Sequence, residues 1–266
     1  MSPAFAVIDD LGYAVNLPRP AQRIISLAPD LTEIIFAIGA GNKIVGVVSG
    51  SDYPSAAKNI AVVAGYNSVD AEAILLLHPD LIVAWADTNY VAQLKKLGIP
   101  VYLSQQRKLL DIAATMRKLG VLVGVQASAN QTANNYLQRY TALQKKYAHL
   151  APVTVFYQVW PQPLMTITKN SWINDVITLC GGRNIFADLH GVAPEVSIEA
   201  VIAANPDIII GTTDAKQDWR RQWLAWPQLT AVKKLAVYSL NPDLINRAGP
   251  RVLAGAEEMC LALRGF

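Results

Sequence analysis

A chain of 266 residues that is 52% hydrophobic and 16% charged lies far from the composition of disordered segments. That length suffices for two lobes of about 100–130 residues, each with its own core. Net charge is only +3, and the doublets Lys95-Lys96, Lys145-Lys146, Arg220-Arg221 and Lys233-Lys234 are scattered over expected helix faces, which excludes a nucleic-acid stripe.

No apolar run approaches the ~20 residues of a membrane-spanning helix, so a soluble chain is expected. Met1-Ser2-Pro3 is followed by no basic and then long apolar segment. The opening reads either as a cytosolic start or as that of an exported chain without its signal segment. Residues 1–20 form an irregular or hairpin lead-in with its turn at Asp9-Asp10-Leu11-Gly12 and stiff points at Pro18 and Pro20. Arg23-Ile24-Ile25-Ser26-Leu27 is the first buried strand. A helix then runs from the Ala28–Glu33 turn to Ile38, is closed by Gly39-Ala40-Gly41, and precedes a strand at 44–48.

The alternation continues through helix 70–77, strand 81–85, helix 89–97, strand 99–103 and helix 109–120. Continuously apolar strands separated by helices predict a parallel sheet covered on both faces. From Ala127 to Ala148 there is almost no breaker, and Tyr136, Leu137, Tyr140, Leu143 and Tyr147 make one apolar stripe. This reads as a long bridging helix. After Pro152 the plan restarts with strand 153–159, helix 172–180, helix 197–204, strand 207–211, a Trp-rich helical region, strand 236–240 and a closing helix 250–263. The expected fold is therefore α/β: two Rossmann-like lobes with mostly parallel sheets, joined by a single long helix, with a ligand cleft between them. The boundaries fall at 1–124 for the first lobe, 125–150 for the bridging helix and 151–266 for the second lobe. A helical link resists large dihedral changes, so lobe closure should be modest.

Glu72-Ala73-Ile74-Leu75-Leu76-Leu77-His78-Pro79-Asp80-Leu81-Ile82-Val83-Ala84 reappears 127 positions later as Glu199-Ala200-Val201-Ile202-Ala203-Ala204-Asn205-Pro206-Asp207-Ile208-Ile209-Ile210-Gly211. Each copy predicts a short helix, a Pro-Asp turn and a buried strand. A glutamate in a first helical turn ordinarily caps the helix or offsets its dipole. Duplicated on two similar lobes, Glu72 and Glu199 would instead offer matching anions to arginines of a two-fold partner.

Catalytic machinery is not visible. Gly39-Ala40-Gly41 follows a helix, which suits a C-cap and not a dinucleotide turn. There is no Gly-Lys-Ser/Thr phosphate loop. His78, His149 and His190 lack metal spacing, and His78 suits a dipole partner at a helix end. Neither Ser26 nor Ser49 sits in a Gly-x-Ser-x-Gly elbow. Binding groups are better represented, because ligands of open α/β lobes meet residues just past the carboxyl ends of strands. Gly50, Tyr53, Trp85, Trp160, Met165, Asp243 and Arg247 all fall there, and Tyr66 precedes the first repeated helix. A flat, bulky ligand would stack on Tyr66 and Trp85, with Asp243 and Arg247 at its polar rim. The bland alternative makes Trp85 core and Asp243–Arg247 a local i,i+4 pair. Cys180 and Cys260 are two buried thiols in a cytosolic protein, or a disulfide within the second lobe of an exported one.

Asp9-Asp10-Leu11-Gly12, Arg23–Pro29, Ser51-Asp52-Tyr53-Pro54, Pro79-Asp80-Leu81-Ile82, Cys180-Gly181-Gly182-Arg183-Asn184-Ile185-Phe186 and Asp243–Arg251 together form a recognisable set. The set resembles the periplasmic vitamin B12-binding proteins of bacterial ABC importers over nearly the whole chain from residue 5. These belong to the helical-backbone binding-protein group that also serves ferric siderophores and haem. The resemblance implies a periplasmic, monomeric protein that catalyses nothing and carries no cofactor or metal of its own. Its cargo would be cobalamin or a related corrinoid such as cobinamide, and its partner a permease dimer docked through Glu72 and Glu199. It also implies a Cys180–Cys260 disulfide. Among ligand contacts Trp85, Asp243 and Arg247 are kept, while Tyr66 replaces a tryptophan. Gly50 stands for a tyrosine, Met165 for a phenylalanine and Ala193 for a tryptophan, with Trp160 available to compensate. A ferric siderophore or haem is the alternative cargo, with Arg247 as the basic group or Tyr53 and Tyr66 as axial ligands. A cytosolic metalloenzyme would need more cysteines or clustered histidines than these.

Overall fold

The computed structural model describes residues 5–65, 67–147, 149–212 and 219–265. Their described parts divide into two units, 1–106 with 110–137 and 107–109 with 138–266. The first unit opens with an antiparallel hairpin of β1 (Phe5–Ile8) and β2 (Ala14–Leu17). The Asp9 carboxylate closes its turn by accepting from the backbone N–H groups of Leu11 and Tyr13 at 2.9 and 2.8 Å. Then follow β3 (Ile24–Ser26), α1 (Pro29–Ala37), β4 (Ile44–Val48), β5 (Ala61–Ala64), α2 (Ala71–Leu76), β6 (Leu81–Trp85), α3 (Val91–Lys96) and β7 (Val101–Ser104). The helices α4 (Leu109–Val123) and α5 (Gln126–Tyr147) come next.

Strands β3 to β7 form one parallel sheet in the order β5-β4-β3-β6-β7. The chain winds outward from β3 through β4 to β5, then returns to place β6 on the other side of β3. The switch point thus lies between β3 and β6, where ligands of such sheets are met. Ile25, Val63, Ile74, Ile82, Leu94 and Leu103 pack one core cluster of this unit. Pro29 at the first helical position starts α1, as its missing N–H costs nothing there. At its end Gly39 takes φ +87°, the Gly39 N–H donates to Phe36 O at 3.0 Å and the Ala40 N–H to Ile35 O at 2.9 Å. That pattern is a Schellman cap, the role expected of this glycine.

The expected bridging segment 125–150 contains α5, whose 22 residues span about 33 Å. Its buried stripe includes Tyr136, Leu143 and Tyr147. Residues at the start of α4 group with the second unit, and the division inside α5 falls between Leu137 and Gln138, so α4 and α5 together link the units. The two helices approach closely at Gly120, where a Cβ would collide with that of Ala129.

The second unit repeats the plan. It contains β8 (Val153–Gln158), a small antiparallel hairpin of β9 (Trp160–Pro161) and β10 (Leu164–Met165), α6 (Trp172–Leu179), β11 (Gly182–Asn184), α7 (Ile198–Ala204) and β12 (Ile208–Thr212). After these come α8 (Arg221–Leu224), α9 (Thr230–Lys233), β13 (Val237–Leu240), α10 (Pro242–Ile245) and α11 (Val252–Arg264). The parallel order β11-β8-β12-β13 puts this switch point between β8 and β12. Phe156 meets Trp223 at 5.3 Å and Phe186 at 5.9 Å, edge to face, at the centre of its core. Cys180 at the end of α6 is bonded to Cys260 of α11, and both are fully buried.

The repeated Pro-Asp turn has a structural duty that the sequence reading did not assign. Asp80 accepts from the backbone N–H groups of Gln22 and Arg23 at 2.9 Å each, just ahead of β3. Asp207 accepts from Thr154 N–H at 3.0 Å, Thr154 Oγ1 at 2.7 Å and Lys234 Nζ at 2.9 Å. In each unit this carboxylate clamps an incoming strand to its central neighbour. The Lys234 ammonium first, then the Thr154 donors, hold the Asp207 carboxyl down at about 2. Its contribution is therefore complete above the ordinary carboxylate range and is lost as pH falls towards 2. Asp207→Ala is expected to cost about 1–2 kcal/mol at neutral pH, mostly from donors left unpaired. Urea unfolding at neutral pH and near pH 2 checks this, as the difference between wild type and variant should shrink in acid.

Candidate ligand-binding site

In the first unit β3 runs into Leu27, whose N–H donates to Val83 O at 2.8 Å, and the chain turns at Ala28 into α1. Beneath this turn Thr32 Oγ1 lies 2.8 Å from Ser26 Oγ and 3.4 Å from Ser51 Oγ, a buried hydroxyl cluster. Asp30, in the first turn of α1, is 1% exposed. Its Oδ1 accepts from Trp85 Nε1–H at 2.8 Å, while the buried Oδ2 has no hydrogen-bond partner among the described residues. Burial pushes the Asp30 carboxyl up to about 7, with the hydrogen bonds opposing the shift and the Glu33 charge adding to it.

Trp85 ends β6 and is half-buried. It is not a core residue. One edge is held by Asp30, which leaves ring surface for stacking. Gly50 lies exposed two residues past β4 with φ +84° and nothing within 4 Å of a Cβ built there. That left-handed backbone favours glycine, so the residue is matched to its conformation and supplies no aromatic face. Tyr53 is 46% exposed in the following loop. Tyr66, expected to stack, lies outside the described residues. An open depression of about 280 Å³ is lined by Ser49, Ala64, Gly65 and Asp70 among others, below the range of typical small-molecule pockets.

In the second unit β8 ends at buried Gln158, whose Oε1 accepts from Trp223 Nε1 at 2.7 Å and Gln222 Nε2 at 2.6 Å. The next residues make the β9–β10 hairpin, where Trp160 pairs directly with Met165. Trp160 is 53% exposed, and Met165 and Ala193 are half-buried. Thr166 N–H donates to Pro194 O at 3.0 Å, so the stretch carrying Ala193 runs beside β10. Asp243 lies in the first turn of α10, capped by Asn241. Arg247 Nη2 is 3.9 Å from Asp243 Oδ1, with side-chain exposures of 17% and 60%. The local i,i+4 pair thus exists, but it is long and leaves most of the Asp243 carboxylate open. Asn246, between them, is tied to Thr212 of β12 and Tyr157 of β8 at 3.4 Å each, which holds this loop over the strand ends.

Glu72 and Glu199 do not cap their helices. Asp70 Oδ1 accepts from Ala73 N–H at 2.9 Å at the start of α2, and Ser197 Oγ from Ala200 N–H at 3.1 Å at the start of α7. Both glutamates are exposed, and neither forms an ion pair among the described residues. His78 contributes through its backbone, at φ 45° just past α2, a position matched by Asn205 at φ 43° past α7. The sequence reading missed Asp30. Its only signal was an acidic residue in a first helical turn, which ordinarily means no more than dipole compensation.

Two open parallel sheets, each bearing exposed aromatic and polar groups beyond the carboxyl ends of its strands, define a solute-binding protein of the α/β class. The periplasmic binding protein family profile matches residues 24–244, and the chain belongs to that family. It is a transport protein of the periplasm, not an enzyme. The vitamin B12-binding protein of Vibrio cholerae is 39% identical over 251 residues, covering 93% of this chain and 91% of that one. The vitamin B12-binding protein of Yersinia pestis is 38% identical over 252 residues, covering 92% and 88%. Among solved structures, the periplasmic vitamin B12-binding protein of Vibrio cholerae aligns with TM-score 0.84 over 92% of this chain and 97% of its own. A periplasmic haem-binding protein of Pseudomonas aeruginosa aligns at 26% identity with TM-score 0.77, over 91% and 92%.

Proposed function

We propose that this protein captures cobalamin or a related corrinoid such as cobinamide in the periplasm and delivers it to an ABC importer. The observation that carries this reading is Trp85, half-buried and held at its indole N–H by Asp30, in a chain 39% identical to a vitamin B12-binding protein. Trp85 and Tyr66 stack on the ligand, Trp160 and Met165 supply further apolar surface, and Asp243 and Arg247 address its amide-bearing rim. Gly50 and Ala193 leave room where the family resemblance expects aromatic rings, and Tyr53 flanks the site. The chain acts as a monomer and docks on a permease dimer through Glu72 and Glu199.

Equilibrium titration with cyanocobalamin and with dicyanocobinamide tests this reading, with one corrinoid bound per chain as the expected result. Binding of neither at micromolar concentration removes it. Trp85→Ala should weaken corrinoid affinity about 30-fold, the loss of one well-buried stacking contact of about 2 kcal/mol. The haem reading draws on the exposed Tyr53 phenol and the 26% identical haem-binding protein. A Soret shift on adding haem, with no change on adding corrinoids, would favour it.

A further inference from the structure

Asp30 combines burial, a bond to Trp85 and an Oδ2 with no side-chain or backbone hydrogen-bond partner in good geometry among the described residues. An acid serving only the α1 dipole would stay ionised and near solvent. Asp30 instead reaches the last residue of β6, 55 positions away in sequence. A carboxylate accepts the indole N–H more strongly than a neutral acid does, because the bond is then charge-assisted. Protonation therefore weakens the hydrogen bond that holds the Trp85 indole among the described residues. The proton has a natural place on Oδ2, which has no hydrogen-bond partner among the described residues.

We propose that Asp30 is a positioning residue that fixes the Trp85 indole, so that proton uptake by its carboxyl loosens the ring and lowers affinity for a ligand stacked on it. This rests on Trp85 being a ligand contact, as proposed above. Burial places the Asp30 transition at about 7, within the range in which bacterial surroundings vary. Of the charged groups among the described residues, Glu33 on the same helix acts on it and raises it. The Trp85 indole of β6 and the backbone N–H groups of Asp30 and Leu31 act in the opposite sense. By linkage, a ligand that prefers the ionised form lowers the Asp30 transition and releases part of a proton on binding near its midpoint.

The test uses the whole protein labelled with ¹⁵N at its indoles, the Trp85 resonance being assigned by its loss in Trp85→Phe. In the ligand-free protein that resonance should titrate with a midpoint near 7. It should be flat in Asp30→Asn, which keeps an acceptor and cannot ionise. Glu33→Gln should move the midpoint down, which gives a second readout if Asp30→Asn does not fold. Cyanocobalamin affinity should fall about fivefold from pH 8.5 to pH 5.5 in the wild type and stay level in Asp30→Asn. Calorimetry at pH 7 in two buffers of different ionisation heat should detect proton release on binding. A Trp85 resonance that does not titrate, or that titrates equally in Asp30→Asn, overturns the proposal. So does a titrating resonance with pH-independent affinity. A titrating resonance in a protein that binds no corrinoid supports the Asp30–Trp85 coupling and sinks the corrinoid reading instead.

Discussion

Replacing Cys180 and Cys260 together by alanine should lower the stability of the second unit by about 3–4 kcal/mol. The bridge closes a loop of 80 residues, and the chain-entropy limit for that length is about 4.5 kcal/mol. The native state gains little to offset this, because both sulfurs sit in an apolar, fully buried seam between α6 and α11. Nearby, Arg264 donates to Cys180 O at 2.7 Å and Ala151 O at 3.0 Å, so the end of α11 stays tied to this seam even without the sulfur bond. The variant should therefore fold and unfold early. Urea unfolding followed by circular dichroism reads the shift in midpoint. An unchanged midpoint and slope would show that the bridge adds nothing to the native fold.

Reversing Glu72 and Glu199 to arginine together should leave corrinoid binding intact and cut transporter-stimulated ATPase activity and uptake at least tenfold. In the proposed docking, each reversal replaces an attraction across the interface with a like-charge contact, which costs several kcal/mol when desolvated. The helices themselves should tolerate it. Their N-termini are capped by Asp70 and Ser197, so a cation in each first turn costs only about 0.3–1 kcal/mol against the dipole. Single reversals should fall between wild type and the pair. Undiminished uptake by the double variant would remove both glutamates from the docking role and leave ligand capture untouched.

The docking glutamates and the cysteine pair differ in how far sequence alone determines them. The glutamates were legible because a repeat displays itself in one dimension. Their spare status was not. Only the structure shows Asp70 and Ser197 satisfying the helix ends, which frees Glu72 and Glu199 from that work. The cysteine pair was visible as a pair, and its state was left open by the residues alone. Bonding depends on α6 and α11 being adjacent, a matter of packing 80 residues apart.

The same division runs through the fold. Strands such as Ile44–Val48 and Ile208–Thr212 announce themselves, since a strand buried on both faces must be apolar throughout. The cap at Gly39 does so too, because few residues adopt a positive φ cheaply. Gly182–Asn184 does not. It is a strand only because β8 offers it hydrogen bonds, and no local pattern carries that information. The β9–β10 hairpin is likewise too short to show a period.

Local chemistry thus sufficed for the alternating elements, the duplicated plan and the aromatic groups at strand ends. Hydrophobic periodicity and backbone preference act over a few neighbours, and a sequence records neighbours directly. The Asp30–Trp85 bond, the strand clamps of Asp80 and Asp207 and the choice of bridge over free thiols belong to tertiary structure. Each depends on groups more than 50 positions apart meeting within hydrogen-bond or covalent distance, and only the folded chain brings them there.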